Sequence, residues 1–479
     1  MSDSGLPKIS VIIPAYNSGA TVRRAVRSAL DQTYEGEIEV IVIDDGSMDD
    51  TSDQVKELAL KDERVRLIIK PNGGVSAARN DGIMAATGEW FVTLDADDYM
   101  DREMVNALCD AAIRTEADTV MCGFRMVYDD GRRLTFKVEE DYTDDKDVFL
   151  DNMLVELYDK HMISTHSNQL YNTAIVRKNR IFYNESIAVN EDIDYVLRYL
   201  KYCRTIGVIK GVYLNYIQHG VGESLITTFQ EYGTASSLLV LRDCNELFEG
   251  IRASDETIDE MNNRLFLHIC SFLGLMYYRS SYSDERKIAE IKELCSKEDF
   301  ADLLEDLRPK GVKSRVAFLL LKSGRYEAYH RLCLRLYGNL QNRLPEKDGT
   351  SEEKAAGMTR AEMLKKCREP YEMLGIYSDI HGNRDVKQDK VQVKHGKGAE
   401  KTERASEYAV SDIDTDVIMK ALEQSADDSA GHENENDEDP YSYRDSVTGT
   451  GVTMEDILKV RELISRAESG KGGTDSPKS

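Results

Sequence analysis

A chain of 479 residues exceeds what one hydrophobic core usually organises, and 41% hydrophobic with 8% aromatic residues supplies enough apolar surface for a sizeable core. A formal charge of −25 argues against nonspecific nucleic-acid binding over the whole surface, and eight scattered cysteines with no Cys-X-X-Cys pair disfavour a zinc ribbon or a disulfide scaffold and fit a reducing cytoplasm. The polar stretch from Met1 to Pro7 is unlike a secretory signal, and no window approaches the roughly 18 uncharged apolar residues of a membrane span, so a cytoplasmic protein is expected.

Residues 8–13 form a short β-branched run closed by Pro14, and residues 20–30 repeat apolar side chains at helical spacing, which makes one strand-loop-helix unit. Residues 39–43 read as a second strand, stopped by Asp44-Asp45-Gly46-Ser47 and followed by a helix over residues 51–60. Residues 64–69 give a third strand, Gly73-Gly74 a turn, and residues 75–86 a third helix. The fourth strand carries the only tryptophan, Trp90, and breaks into Asp95-Ala96-Asp97-Asp98. Strands without alternation, each followed by a helix, predict an α/β fold with a mostly parallel sheet covered on both faces. Such sheets bind ligands at their carboxyl ends, so the loops of Tyr16-Asn17, Asp44-Asp45, Gly73-Gly74 and Asp95-Asp97 are expected on one rim. Hard carboxylate oxygens one residue apart at a strand end suit Mg²⁺ or Mn²⁺, which can in turn hold a nucleotide diphosphate. The plainer alternative is a polar turn in which Asp97 or Asp98 caps a helix starting near Asp101.

Farther along, residues 122–128 and 133–138 flank Asp129-Asp130-Gly131-Arg132 as a hairpin. Glu191-Asp192 opens an apolar-periodic helix through Tyr195, Leu197 and Leu200, where acidic residues also suit the positive helix end. Helical patterns follow at residues 236–248, 257–278, 284–295 and 316–340. Between residues 307 and 344 every charged residue except Glu327 is Lys or Arg, interleaved with Leu, Tyr and Phe. That pattern fits a segment lying on an anionic membrane, and equally a core-packed helix pair with a solvated basic face. After Pro345 Trp and Phe vanish and acidic residues accumulate, so residues 345–479 are expected to be a largely disordered acidic tail. Two short helices within it, 411–425 and 453–467, would either dock on a protein partner or form transiently without one.

Pro14-Ala15-Tyr16-Asn17, Gln32-Thr33-Tyr34, Val42-Ile43-Asp44-Asp45-Gly46-Ser47, Gly74-Val75-Ser76-Ala77-Ala78-Arg79-Asn80 and Leu94-Asp95-Ala96-Asp97-Asp98 resemble, in order and spacing, the family 2 glycosyltransferases of the GT-A fold, of the kind that builds bacterial polysaccharides and cell-surface glycans. The resemblance continues through Asn168-Gln169-Leu170-Tyr171, Asn190-Glu191-Asp192 and Tyr216-Ile217-Gln218-His219, and implies a catalytic domain over residues 1–222, a helical extension over 223–344 and a tail over 345–479. It implies that Pro14, Tyr16, Asn17, Asp45, Arg79 and Asp95 bind a nucleotide-sugar donor. A carboxylate at Asp45 would suit the N3–H of uracil, hence a UDP-sugar. It further implies that Asp97, with Asp95 and His219, holds Mn²⁺ or Mg²⁺. Asp192, beside Glu191, would take the proton of an acceptor hydroxyl on a polysaccharide or lipid-linked glycan, with inversion at the sugar. Relatives often read Trp-Asn-Lys-Leu-Tyr where this chain has Ser167-Asn168-Gln169-Leu170-Tyr171, which bears on the acceptor side alone. The competing expectations are a sugar nucleotidyltransferase, which would need a Gly- and Lys/Arg-rich loop where Pro14 to Gly19 stands, and a scaffold with a vestigial site.

Overall fold

A computed structural model describes residues 5–128, 131–218 and 233–341. The tail with its two expected helices, His219 and the turn residues Asp129 and Asp130 lie outside the described residues. The chain divides into two compact units, Met1–Leu275 and the part from Met276 onward.

The first unit begins with strands β1 (Ile9–Ala15), β2 (Ile38–Asp44), β3 (Val65–Ile69) and β4 (Trp90–Thr93), joined through helices α1 (Val22–Leu30), α2 (Thr51–Ala59) and α3 (Val75–Ala85). These strands lie in the order β3-β2-β1-β4, all parallel. Every residue of β1 and β2 is buried, which is why neither strand alternates in sequence. Close approach of α3 requires Gly82, because a Cβ there would collide with Cγ2 of Ile12 in β1.

Beyond β4 the sheet becomes mixed. Strand β5 (Tyr99–Met100) leads into α4 (Met104–Thr115), β6 (Thr119–Tyr128), β7 (Arg133–Phe136) and β8 (Tyr142–Asp145). Then come α5 (Lys146–Asp159), a 3₁₀ turn at His166–Asn168, β9 (Gln169–Asn172), α6 (Thr173–Asn179), α7 (Glu191–Leu200) and β10 (Thr205–Gln218). Antiparallel β9 joins β4 to β6, and β6 runs parallel to β10, whereas β5, β7 and β8 pair antiparallel. The β6–β7 pairing is the hairpin expected from sequence. Helix α4 starts at Met104, not near Asp101, and Glu103 rather than Asp97 or Asp98 precedes it.

An aromatic layer seats α7. Tyr171 stacks on Phe91 at 5.1 Å and meets Tyr195 and Tyr199 edge-on at 5.5 and 5.0 Å, while Tyr183 stacks on Tyr195 at 4.0 Å. Buried aromatic pairs of this kind add roughly 0.5–1.5 kcal/mol each beyond the area they cover. Helices α8 (Gly233–Glu249) and α9 (Asp255–Arg279) follow. Asn190, held at φ 65°, donates from Nδ2 to the hydroxyls of Ser236 and Ser237 on α8 at 3.0 and 3.3 Å.

The second unit contains α10 (Asp284–Cys295), α11 (Glu298–Asp306), α12 (Val312–Lys322) and α13 (Tyr326–Gln341). The single helix expected over residues 316–340 is two, because Gly324 adopts φ 69° and turns the chain. Helix α11 is absent from the sequence reading. Leu320, Leu321, Tyr329 and Cys333 are buried within this unit, so much of the apolar side of the basic segment is consumed by packing, while Arg315, Lys322, Arg325 and Arg331 are exposed. Among the described residues no helix is long and apolar enough to cross a membrane.

Candidate active site

Three strand ends are laced together on one rim. Asn17, in the left-handed region at φ 48°, accepts from the Met48 N–H at Oδ1 (2.8 Å), while its own N–H donates to Ser47 Oγ (2.9 Å). Left-handed backbone is tolerated by Asn better than by most side chains, so this position is chosen for its conformation. Pro14 lies beside Ile43 in the β1–β2 register, and Tyr16, just past β1, is 47% exposed. Asp45 is 2% exposed, and its two oxygens accept from the N–H groups of Gly73 and Gly74 at 2.9 and 2.8 Å, with Lys70 Nζ 3.4 Å away. The residue expected to read a base therefore ties the β3–α3 turn to β2; Oδ2 keeps a second lone pair for a further donor, while Oδ1 is shared by Gly73 and Lys70.

At the end of β4, Asp98 is 1% exposed; its Oδ1 accepts from the Ile217 N–H at 2.8 Å, and its Oδ2 is buried without a hydrogen bond. Burial first, then the negative charges of Asp95 and Asp97, push this carboxyl well above the usual range. Arg24 donates to the Asp97 carbonyl. Among the described residues no three ligating side chains converge into a ready coordination shell. A buried carboxylate oxygen without a donor, beside two further carboxylates, nevertheless fits a hard divalent cation, whose charge would relieve the crowding.

Arg79 of α3 joins this rim to α7. It is 3% exposed, with Nη2 3.0 Å from Asp95 Oδ1 and Nη1 2.9 Å from Asp192 Oδ1 and 3.3 Å from Glu191 Oε1, and its guanidinium lies 5.2 Å from the Tyr183 ring centroid. Burial alone would lower its pKa, but the charges of Asp192 and Asp95 hold it well above the ordinary arginine value. Sequence reasoning left a solvent-facing Arg79 open; the guanidinium is in fact buried as a fork among three carboxylates.

The two acids at the start of α7 are driven apart. Burial, then the charge of Asp192, raises the Glu191 carboxyl to about 7. Burial also acts to raise Asp192, but the positive charges of His166 and Arg79 outweigh it, and its carboxyl lies below the usual range. His166, absent from the sequence-derived site, is 2% exposed, with Nδ1 2.8 Å from Asp192 Oδ1 and Nε2 3.9 Å from Asp95 Oδ1. The first is an ion-pair distance, with the ring turned off the hydrogen-bond line. A lone histidine gives no periodic signal; its position directly before Ser167-Asn168-Gln169-Leu170-Tyr171 was the available hint. Gln169, where relatives often carry Lys, is buried and donates to Thr119 Oγ1 at 2.7 Å.

Arg79, Asp95, Glu191 and Asp192 thus meet at one place, Asp97 and Asp98 adjoin it in sequence, and Asn17 and Asp45 lace the neighbouring strand ends. A parallel half-sheet with carboxylates at a strand end, facing an acidic helix start across an arginine, is an arrangement suited to group transfer. Residues 10–180 match glycosyl transferase family 2. The chain is similar to EpsJ of Bacillus subtilis (strain 168), named an uncharacterized glycosyltransferase, at 38% identity over 25% of this chain and 34% of that one. It is similar to EpsH of the same organism, which also carries the name of a glycosyltransferase, at 24% identity over 66% of this chain and 91% of that one. Chondroitin synthase of Pasteurella multocida (strain Pm70) is 40% identical over 22% of this chain, which spans only 11% of that protein. The crystal structure of S. aureus TarS 1–349 in complex with UDP-GlcNAc superposes with a TM-score of 0.52 at 18% identity, covering 70% of this chain and 92% of that one, so the GT-A fold is shared. The likeness to glycosyltransferase family 2 rests on residues 10–180. The family match ends at residue 180, before Glu191 and Asp192.

Proposed function

We propose that the protein transfers a sugar, with inversion, from a UDP-linked donor to a hydroxyl of a polysaccharide or lipid-linked glycan. The observation carrying this reading is the Arg79 fork, which gathers a strand-end carboxylate of the donor rim, Asp95, and the helix-start acids Glu191 and Asp192 around one buried cation. The UDP-GlcNAc in the TarS complex supports a UDP donor.

Tyr16 offers an exposed ring to the base, with Pro14 and Asn17 shaping its loop, and Asp45 accepts a ring N–H beside the Gly73-Gly74 turn. Asp97, with Asp95 and with His219 from outside the described residues, would hold Mn²⁺ or Mg²⁺. That ion, when bound, supplies Lewis-acid neutralisation of the departing diphosphate. The protein's own part is to hold the acceptor opposite the nucleotide and to remove its proton. Both described contacts of Asp192 fall on Oδ1, and its depressed pKa keeps it ionised, so Oδ2 is the atom that takes the proton. Glu191, poised at about 7, is the neighbour against which this assignment must be tested. The basic face of α12 and α13 gives the second unit a peripheral hold on an anionic bilayer, through charge more than through insertion, because the buried leucines are already used.

UDP release from a panel of UDP-sugars, with and without EDTA, tests the reading. Asp97→Ala is expected to lose orders of magnitude in rate while melting as the wild type does. Asp192→Asn is expected to lose turnover with unchanged UDP affinity, since a base acts in the transition state. Undiminished, EDTA-insensitive turnover by Asp97→Ala, or a dead Glu191→Gln beside a normal Asp192→Asn, overturns the respective assignment.

A further inference from the structure

We infer that His166 is a positioning residue for the proton acceptor: together with Arg79 it grips Oδ1 of Asp192 from a second direction and so turns Oδ2 toward the acceptor hydroxyl. The inference deepens the reading of Asp192 given above and rests on it.

A short carboxylate at the start of a helix swivels freely about its last torsion, and one cation cannot fix its plane. Arg79 Nη1 is moreover shared with Glu191, so its bond to Asp192 is not exclusive. His166 approaches the same oxygen from the 3₁₀ turn that precedes β9, a different element from the α3 that carries Arg79. Its other nitrogen, Nε2, lies 3.1 Å from Ser167 Oγ; whether that hydroxyl donates to Nε2 of a neutral ring or accepts from it in the charged ring, Nδ1 carries the hydrogen that faces Asp192. The contact is one of charge and proximity, 2.8 Å from Nδ1 to Oδ1, and not an aligned hydrogen bond.

The ring is held for this purpose. The Tyr171 hydroxyl donates to the His166 carbonyl at 2.9 Å, and Asn168 Nδ2 donates to the carbonyls of Cys122 and Met162 at 3.0 and 3.1 Å, so the turn is pinned to β6 and β9. The Tyr183 ring meets the imidazole edge-on at 5.8 Å. A merely space-filling aromatic needs none of the nitrogen contacts.

Two substitutions separate positioning from packing. His166→Phe keeps a flat ring against Tyr183 but removes both nitrogens, whereas His166→Asn shrinks the side chain yet offers an N–H donor where Nδ1 stands. With UDP-glucose and UDP-GlcNAc as donors, UDP release is measured for kcat and donor KM, alongside UDP affinity by calorimetry. We expect His166→Phe to lose about 100-fold in kcat, the scale of a reacting group misplaced by an ångström, with donor KM and UDP affinity within about twofold of wild type. His166→Asn should recover at least about tenfold of that loss. The inference is overturned if His166→Phe turns over like wild type, or if His166→Asn is the worse of the two. Wild-type protein that releases no UDP from any donor, or an Asp192→Asn variant with normal turnover, would instead bring down the reading beneath it.

Discussion

Arg79→Met is the substitution to which the first unit should be most sensitive. Methionine fills much of the volume but leaves Asp95, Glu191 and Asp192 facing one another without the cation they share. Removing one member of a buried ion cluster costs about 3–5 kcal/mol, because the remaining charges stay desolvated. At roughly 2–4 °C per kcal/mol for a unit of this size, the melting temperature should fall on the order of 10 °C. Arg79→Lys should fall less, since it keeps the charge but loses the fork that serves several carboxylates at once. Adding Glu191→Gln to Arg79→Met removes one of the stranded acids, so the double variant should melt above the sum of the two single effects. Calorimetry on the full chain measures all four proteins. An Arg79→Met variant melting within about 2 °C of wild type, or strict additivity with Glu191→Gln, would refute the shared-cation argument.

Glu191 should make stability fall with rising pH: its folded value of about 7 lies above the unfolded 4.5, so the native state binds the extra proton in that window. Its contribution to stability is therefore greatest below about 4.5 and drops by on the order of 3 kcal/mol through 7, a slope that Glu191→Gln should remove from the profile; parallel pH profiles for the two proteins would contradict it. Gly82→Ala should destabilise by about 1–3 kcal/mol despite the better helix propensity of alanine, because its Cβ meets Ile12 in a fully packed strand, and a higher melting temperature would show that α3 has room to move. Charge reversal at Arg325 and Arg331 should abolish co-sedimentation with anionic vesicles without touching UDP release, whereas equal pelleting with neutral vesicles would return the basic face to a solvated surface.

The donor half of the fold was legible because its strands are buried on both faces and its loops end in acids and glycines, signals that survive in a linear reading. β1 to β4 and α1 to α3 accordingly fall within a few residues of expectation. What the sequence hid depends on contacts between distant segments. His166 acquires its place only when the turn before β9 is folded against the start of α7. The engagement of Asp45 depends on the Gly73 and Gly74 amides approaching it, which no local pattern encodes. In the second unit apolar residues recur at helical spacing on both sides of Gly324, and only the left-handed conformation of that glycine ends α12.

The bond from Asn190 to Ser236 and Ser237 bears on how little of the protein can be cut away. Asn190 immediately precedes the two acids, and its left-handed backbone is steadied from α8, well past the last residue of any boundary drawn from motifs alone. A fragment ending at residue 222 would retain all the expected site residues yet lose the hydroxyls that brace the start of α7. Expression of an isolated catalytic piece should therefore run at least through Leu275, where the first compact unit closes.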